Sequence, residues 1–168
     1  IEAGLRSGNE TMPEEINRLV TDRISDLLLT PDTISTENLK KEGVSPNSIK
    51  FVGNIMIDTL DSNIEKAKKL NSLEIVSKNY IINQPDKELN NLDSFGIITM
   101  HRPSNVDHKQ ILTAIVNFFC NNKSINFPLI WTIHPRTEKK LKEFNLWDAV
   151  LINKKIIMLN PLRYNEML

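Results

Sequence analysis

The 168 residues are 40% hydrophobic and 25% charged, the balance of a soluble globular protein, which excludes a disordered tail or a collagen-like repeat. Twenty-one Lys and Arg offset twenty-one Asp and Glu, so no overall field draws the chain to nucleic acid or to an anionic membrane, and any phosphate must be held locally. No apolar run approaches the roughly 18 to 20 residues that cross a bilayer and no signal-peptide pattern opens the chain, so a cytoplasmic protein without membrane contact is expected.

The chain begins on Ile1 and enters directly on Glu2-Ala3-Gly4-Leu5-Arg6. Both ends read as cut, since Asn165-Glu166-Met167-Leu168 resembles the opening turn of a helix. Pro13 followed by Glu14 and Glu15 predicts a helix start, with acidic side chains at the positive end of the dipole. That helix is expected to reach about Ser25, with Ile16, Leu19, Val20 and Ile24 as its apolar stripe and Glu14, Asn17, Arg18 and Thr21 on another face. Asp26-Leu27-Leu28-Leu29-Thr30 reads as a buried strand, and Thr30-Pro31-Asp32 caps a helix ending near Gly43. Ile49-Lys50-Phe51-Val52 supplies another strand, Gly53-Asn54 ends it, and Ile55 to about Leu70 is a helix with Ile57, Leu60, Ile64 and Ala67 apolar.

From Asn71 to Ser94 the sequence is polar and irregular, with turn-like clusters at 83–86 and 90–93, and is read as the lead-in to a second domain. A new alternation follows. Phe95–Met100 is predicted as a strand, Val106–Asn122 as a helix, Pro128–Ile133 as a strand, Pro135 to about Phe144 as a helix and Lys155–Leu159 as a strand. Strands alternating with helices predict βαβ crossovers and parallel sheets, in two blocks divided as 1–54 and 55–168. A dinucleotide fingerprint and a P-loop are absent. The single cysteine, Cys120, reads as a small buried hydrophobe, Trp131 and Trp147 read as packing residues, and the three histidines have no metal-ligand spacing, so no metal or cofactor is expected.

Ligands of open α/β sheets bind beyond the carboxyl ends of strands. His101-Arg102 follows the Phe95–Met100 strand, and His134-Pro135-Arg136 repeats the arrangement one βα unit later. Imidazole, guanidinium and a helix start converging at a strand end suit a pyrophosphate, although a His and Arg paired with nearby carboxylates is an equally good reading of His101-Arg102. His108, among Asp107, Lys109 and Gln110, reads as solvated. Twelve residues separate Glu2 from Glu14, enough for a strand-end and a helix-start carboxylate to face one cleft and divide acid and base roles. Ordinary first-turn acidity with an i,i+4 pair to Arg18 is the commoner reading of Glu14 alone.

Taken together, Glu-Ala-Gly-Leu-Arg at 2 to 6, Met-Pro-Glu-Glu-Ile-Asn-Arg at 12 to 18, Gly53-Asn54 with Ile57-Asp58, Thr-Met-His-Arg-Pro-Ser-Asn-Val-Asp at 99 to 107 and His-Pro-Arg-Thr at 134 to 137 resemble the non-hydrolysing UDP-N-acetylglucosamine 2-epimerases in order and spacing. Pro161-Leu162 with Tyr164 is similar to the next segment of that family. The resemblance implies a glycosyltransferase-B-like α/β fold of two Rossmann-type parallel-sheet domains, each only partly present. It implies that UDP-N-acetylglucosamine and UDP-N-acetylmannosamine are interconverted at C2 with elimination and return of UDP, for surface polysaccharide precursors. By motif position Glu2, Glu14 and His101 are the expected catalytic residues, and Arg102, His134, Arg6 and Asn54 the expected substrate-binding ones. His101 is assigned to the diphosphate side, because a strand-end imidazole beside Arg102 suits charge neutralisation. The resemblance further implies a UDP-sugar substrate, a second, activating UDP-sugar and a homodimer as the full-length assembly, with this piece inactive alone. A sister epimerase of a diacetamido uronic acid sugar nucleotide and a hydrolysing epimerase share the motifs. A non-catalytic sugar-nucleotide-binding module is the reading from another class, and the joint presence of Glu2, Glu14 and His101 weighs against it.

Overall fold

The computed structural model describes residues 1–81, 84, 92 and 94–168, so most of the clusters expected at 83–86 and 90–93 lie outside the described residues. The chain forms two compact units, Ile1–Asn63 and Ile64–Leu168.

In the first unit, α1 (Pro13–Ile24) leads to β1 (Leu28–Thr30), α2 (Thr33–Lys41), a 3-10 turn at Pro46–Ser48 and β2 (Ile49–Phe51). α3 (Ile55–Ala67) runs across the boundary between the units. The two strands are parallel, with Leu28 opposite Ile49 and Thr30 opposite Phe51. Asp32 starts α2 by accepting the Ser35 N–H at 2.6 Å, which satisfies a donor that the first helical turn leaves open. On the other side of β1 the Ala3 N–H donates to the Leu29 carbonyl at 3.0 Å, so the 2–6 segment lies alongside the strand. A small core of Ala3, Leu28, Leu39 and Ile49 closes beneath it.

Gly4 is where this segment meets α2. Its φ is +80°, and a Cβ there would lie 2.2 Å from the Ser35 carbonyl oxygen, so both the backbone conformation and the space require glycine. The Gly4 N–H donates to Asp22 at 2.8 Å and its carbonyl accepts from the Asn38 amide at 3.0 Å, which leaves neither backbone group orphaned.

α1 corrects the expected facing. Ile16, Val20 and Ile24 are exposed, whereas Glu15 and Asp22 are buried, Glu15 to 2% of its free surface. Spaced seven residues apart, these two acids lie on one helical stripe, and each has a partner that makes its burial tolerable. Asp22 takes the Gly4 N–H and an ion pair from Arg6 at 2.8 Å. Glu15 takes the backbone N–H groups of Ser7 and Gly8 at 3.0 Å and the Arg18 guanidinium at 3.4 Å. The helix therefore packs inward through hydrogen bonds.

In the second unit, α4 (Ser72–Asn79) occupies part of the stretch expected to be irregular. Its Asn71 cap accepts from the Leu73 and Glu74 N–H groups, and Val76 is buried. Then come β3 (Gly96–Thr99), α5 (Pro103–Val106), α6 (Lys109–Asn121), β4 (Leu129–Thr132), α7 (Pro135–Glu143), α8 (Trp147–Leu151), β5 (Ile156–Leu159) and α9 (Tyr164–Met167). The helix expected over 106–122 thus begins at Lys109, and α5 is a separate turn before it, parted from it by Asp107-His108. The strands form one parallel sheet in the order β3-β4-β5.

Strand alternation sorts the apolar side chains onto two faces. Ile98, Leu129, Trp131, Ile156 and Met158 pack with Leu112 and Val116 of α6, Leu141 of α7 and Val150 of α8. Ile130, Ile157 and Leu159 pack with Val76, Leu92 and the partly buried Tyr80, Phe95 and Leu162. On the outer edge of β5, Ile81 and Gln84 meet Met158. Gln84 accepts the Met158 N–H at 2.8 Å and donates to the Met158 carbonyl at 2.6 Å, and the Ile81 N–H reaches the same carbonyl at 3.1 Å.

Two measurements check the first unit. Gly4→Ala is expected to lower stability by roughly 1–3 kcal/mol or more. Gly43→Ala, with φ +84° but no neighbour within 4 Å, carries only backbone strain of about 1–2 kcal/mol. Thermal unfolding of the two variants separates strain from collision. Backbone N–H groups hold the Glu15 carboxyl down from 4.5 to about 2. Its stabilisation is therefore complete above the unfolded value and lost as pH falls from 4.5 towards 2. Glu15→Gln is expected to lower the neutral-pH melting temperature and to flatten its decline over that acid window.

Candidate functional site

Parallel register builds the rim of the second unit. Thr99 stands opposite Thr132, and two residues beyond each the chain leaves its strand on a histidine. The His101 and His134 rings meet with centroids 5.0 Å apart and planes inclined by 28°. Both rings are exposed, as are Arg102 and Arg136.

The two arginines behave differently. Arg102 makes no ion pair with a described residue. Arg136 grips Asp107 through both nitrogens of its fork, Nε to Oδ1 at 2.9 Å and Nη2 to Oδ2 at 2.5 Å, and this pairing holds the Asp107 carboxyl below its usual range. The Arg136 N–H donates to His134 Nδ1 at 3.1 Å, making His134 the cap of α7. One residue on, the buried Thr137 hydroxyl donates to the Met100 carbonyl.

In the first unit Glu2 and Glu14 are both exposed, and neither carboxylate hydrogen-bonds a described residue. Glu2 has φ +58°, the left-handed region that non-glycine residues occupy at an energetic cost. Glu14 stands in the first turn of α1, next to the buried Glu15 that draws Ser7 and Gly8 back onto the helix. The Arg6 guanidinium, expected to meet substrate, is engaged inside the unit. It donates to Glu42 through Nε and Nη2 at 2.7 and 2.8 Å, and through Nη1 it meets Asp22 and the Leu5 carbonyl, each at 2.8 Å. These carboxylates raise its pKa further, so Arg6 holds the 2–6 segment against α1 and α2. Asn54 is exposed and uses its Oδ1 to accept the Met56 N–H at 2.9 Å at the start of α3.

Sequence reasoning alone did not single out Asp107, Thr137, Asp22 or Glu42. Asp107 and Thr137 lie inside the two histidine motifs, which was the available signal; Asp22 and Glu42 carry none, because their partners are 16 to 36 residues away. Among the described residues no group of three His, Cys, Asp or Glu side chains is arranged to hold a metal ion, and no helix is long and apolar enough to cross a membrane.

Comparison with known proteins places the chain in a family. The family model described as UDP-N-acetylglucosamine 2-epimerase matches residues 1–168. A UDP-N-acetylglucosamine 2-epimerase of Methanocaldococcus jannaschii is 40% identical over all of this chain, which spans 44% of that protein. A UDP-2,3-diacetamido-2,3-dideoxy-D-glucuronate 2-epimerase of Pseudomonas aeruginosa is 33% identical, again over all of this chain and 42% of its own length. The crystal structure of the Methanocaldococcus jannaschii UDP-GlcNAc 2-epimerase in complex with UDP-GlcNAc and UDP superposes with a TM-score of 0.80 at 40% identity, over 99% of this chain and 43% of that one. The fold class is that of these proteins, glycosyltransferase-B-like, with each Rossmann-type domain partly present. Matched along its whole length, the chain belongs to the UDP-N-acetylglucosamine 2-epimerase family.

Proposed function

We propose that this chain is part of a non-hydrolysing epimerase that interconverts UDP-N-acetylglucosamine and UDP-N-acetylmannosamine, supplying precursors for surface polysaccharide. The observation that carries the reading is the pair of stacked imidazoles, His101 and His134, on one strand-end rim beside Arg102, which makes no ion pair with a described residue. Residues 1–54 are the latter part of one Rossmann-type domain and 55–168 the first part of the next. The related structure that holds UDP-GlcNAc and UDP supports a UDP-sugar as the ligand.

The reaction breaks the C2–H bond, delivers the proton to a carboxylate, and lets the C1–oxygen bond depart with its electrons on UDP. The sugar is left unsaturated between C1 and C2. Reprotonation on the opposite face and return of UDP complete the inversion. Glu2 and Glu14 are the proton-transfer groups, suited by exposed carboxylates that no described residue occupies. His101, Arg102 and His134 take up the negative charge that develops on the departing diphosphate. Asn54 is placed with the substrate-binding residues. A second UDP-sugar as activator, a homodimer and a cytoplasmic location complete the proposal.

A second reading is favoured by the Pseudomonas aeruginosa relative, whose name specifies a diacetamido glucuronate sugar nucleotide. Full-length protein incubated in heavy water with each UDP-sugar separates the two by C2 deuterium incorporation. Exchange into UDP-N-acetylglucosamine with the UDP-sugar retained is expected; release of free sugar would overturn the non-hydrolysing reading. Glu14→Gln is expected to lower that exchange by about 10²–10⁴-fold, and exchange at an undiminished rate would remove Glu14 from proton transfer.

A further inference from the structure

The segment that carries His101 is tied down at both of its ends by two consecutive residues of α7. At its start, the Met100 carbonyl accepts the Thr137 hydroxyl. At its end, Asp107 is gripped by Arg136 at 2.9 and 2.5 Å. Between these ties the chain makes a single turn of helix, with the Asp107 N–H returning to the Pro103 carbonyl at 2.9 Å. Breaking the helix at Asp107 is what frees this side chain to face α7; His108 then begins α6 as its cap.

Arg136 also acts on the other histidine. Its N–H donates to His134 Nδ1 at 3.1 Å, which leaves Nε2 to carry the proton of the neutral ring. One residue thus fixes the loop bearing the first imidazole through its side chain and the ring of the second through its backbone. A bidentate guanidinium–carboxylate pair constrains orientation as well as distance, which a single-point contact cannot do.

The sequence motifs present two arginines of apparently equal standing beside the two histidines, and the structure gives them unequal partners. Arg102 has no carboxylate among the described residues; the Nε–Nη2 edge of Arg136 is committed to Asp107. Resting on the diphosphate-site reading above, we infer that Asp107 and Arg136 are positioning residues. Their ion pair holds His101 against His134 and offsets the charge of Arg136, leaving Arg102 as the cation that meets the ligand.

The test uses the full-length protein and reads the ring contact without ligand. In proton–carbon spectra the Cε1–H resonances of His101 and His134 are assigned by substituting each ring in turn, and a cross-relaxation signal between them reports the stack. Asp107→Ala and Arg136→Ala are each expected to shift both resonances and abolish the signal. Arg136→Lys, which keeps one point of the ion pair, is expected to recover it in part. A ring contact that persists in both alanine variants would overturn the proposal. Thermal unfolding midpoints close to the parent value establish that the variants fold; were they to unfold, Asp107→Asn, which keeps one acceptor and removes the charge, gives the same decision. Titration with UDP then asks for function. Arg136→Ala is expected to weaken UDP binding on the order of tenfold to a hundredfold and Arg136→Lys by less; unchanged affinity in Arg136→Ala overturns the positioning role. If the parent protein binds no UDP, the diphosphate-site reading fails, and the ring contact alone decides the clamp.

Discussion

The candidate site depends on the parallel register of β3 and β4. Because both strands run the same way and Thr99 lies opposite Thr132, both chains leave the sheet at the same edge and at the same height. An antiparallel pair would send one histidine to the top of the sheet and the other to the bottom. Parallel strands need long crossovers, and here the connection through α5 and α6 packs Leu112 and Val116 onto the face that holds Trp131 and Ile98. Burial of that face therefore fixes the register, and the register brings the two strand ends together. The contacts of Thr137 and Arg136 then set the path of the chain that carries the first imidazole to the second.

The first unit holds its exposed carboxylates by another means. Glu2 and Glu14 lie at the two ends of a loop outside the small apolar core, and ionic contacts define its path. Asp22, Glu42 and Arg6 pull one end against α1 and α2, and Glu15 gathers the backbone of Ser7 and Gly8 at the other. Buried charges are tolerable only when paired, so Asp22 and Glu15 are intolerant of losing their partners. Gly4 permits it, since only a residue without a Cβ fits against the Ser35 carbonyl.

The strands and the ends that carry chemistry were legible in the sequence because buried parallel strands write themselves as short apolar runs. Phe95–Met100, Pro128–Ile133 and Lys155–Leu159 contain the observed strands to within two residues at each end. Helix faces were less legible. The stripe Ile16, Val20 and Ile24 has ideal helical spacing yet lies exposed, because the inward stripe runs through Glu15 and Asp22, whose partners are distant in sequence. α4 was hidden by its length of eight residues and its polar composition, although the Asn71 cap was in plain sight. The break at Asp107 was hidden for a different reason. The sequence reading started the helix at Val106, and the contact that favours a break after that residue comes from Arg136, 29 residues from Asp107.

Gln84 gives the second sheet a direction. Its side-chain amide faces Met158 as a neighbouring strand's peptide would, supplying one donor and one acceptor, while the Ile81 N–H shares the Met158 carbonyl and the Asn79 carbonyl accepts the Asn160 N–H just past the strand. An edge satisfied in this way offers no template for another strand. Among the described residues nothing pairs with the outer side of β3, where Ile97 stands exposed. Among the described residues the open side of the sheet is therefore the one next to the strand that delivers His101, and a parallel strand added there would end on the side of the imidazole pair.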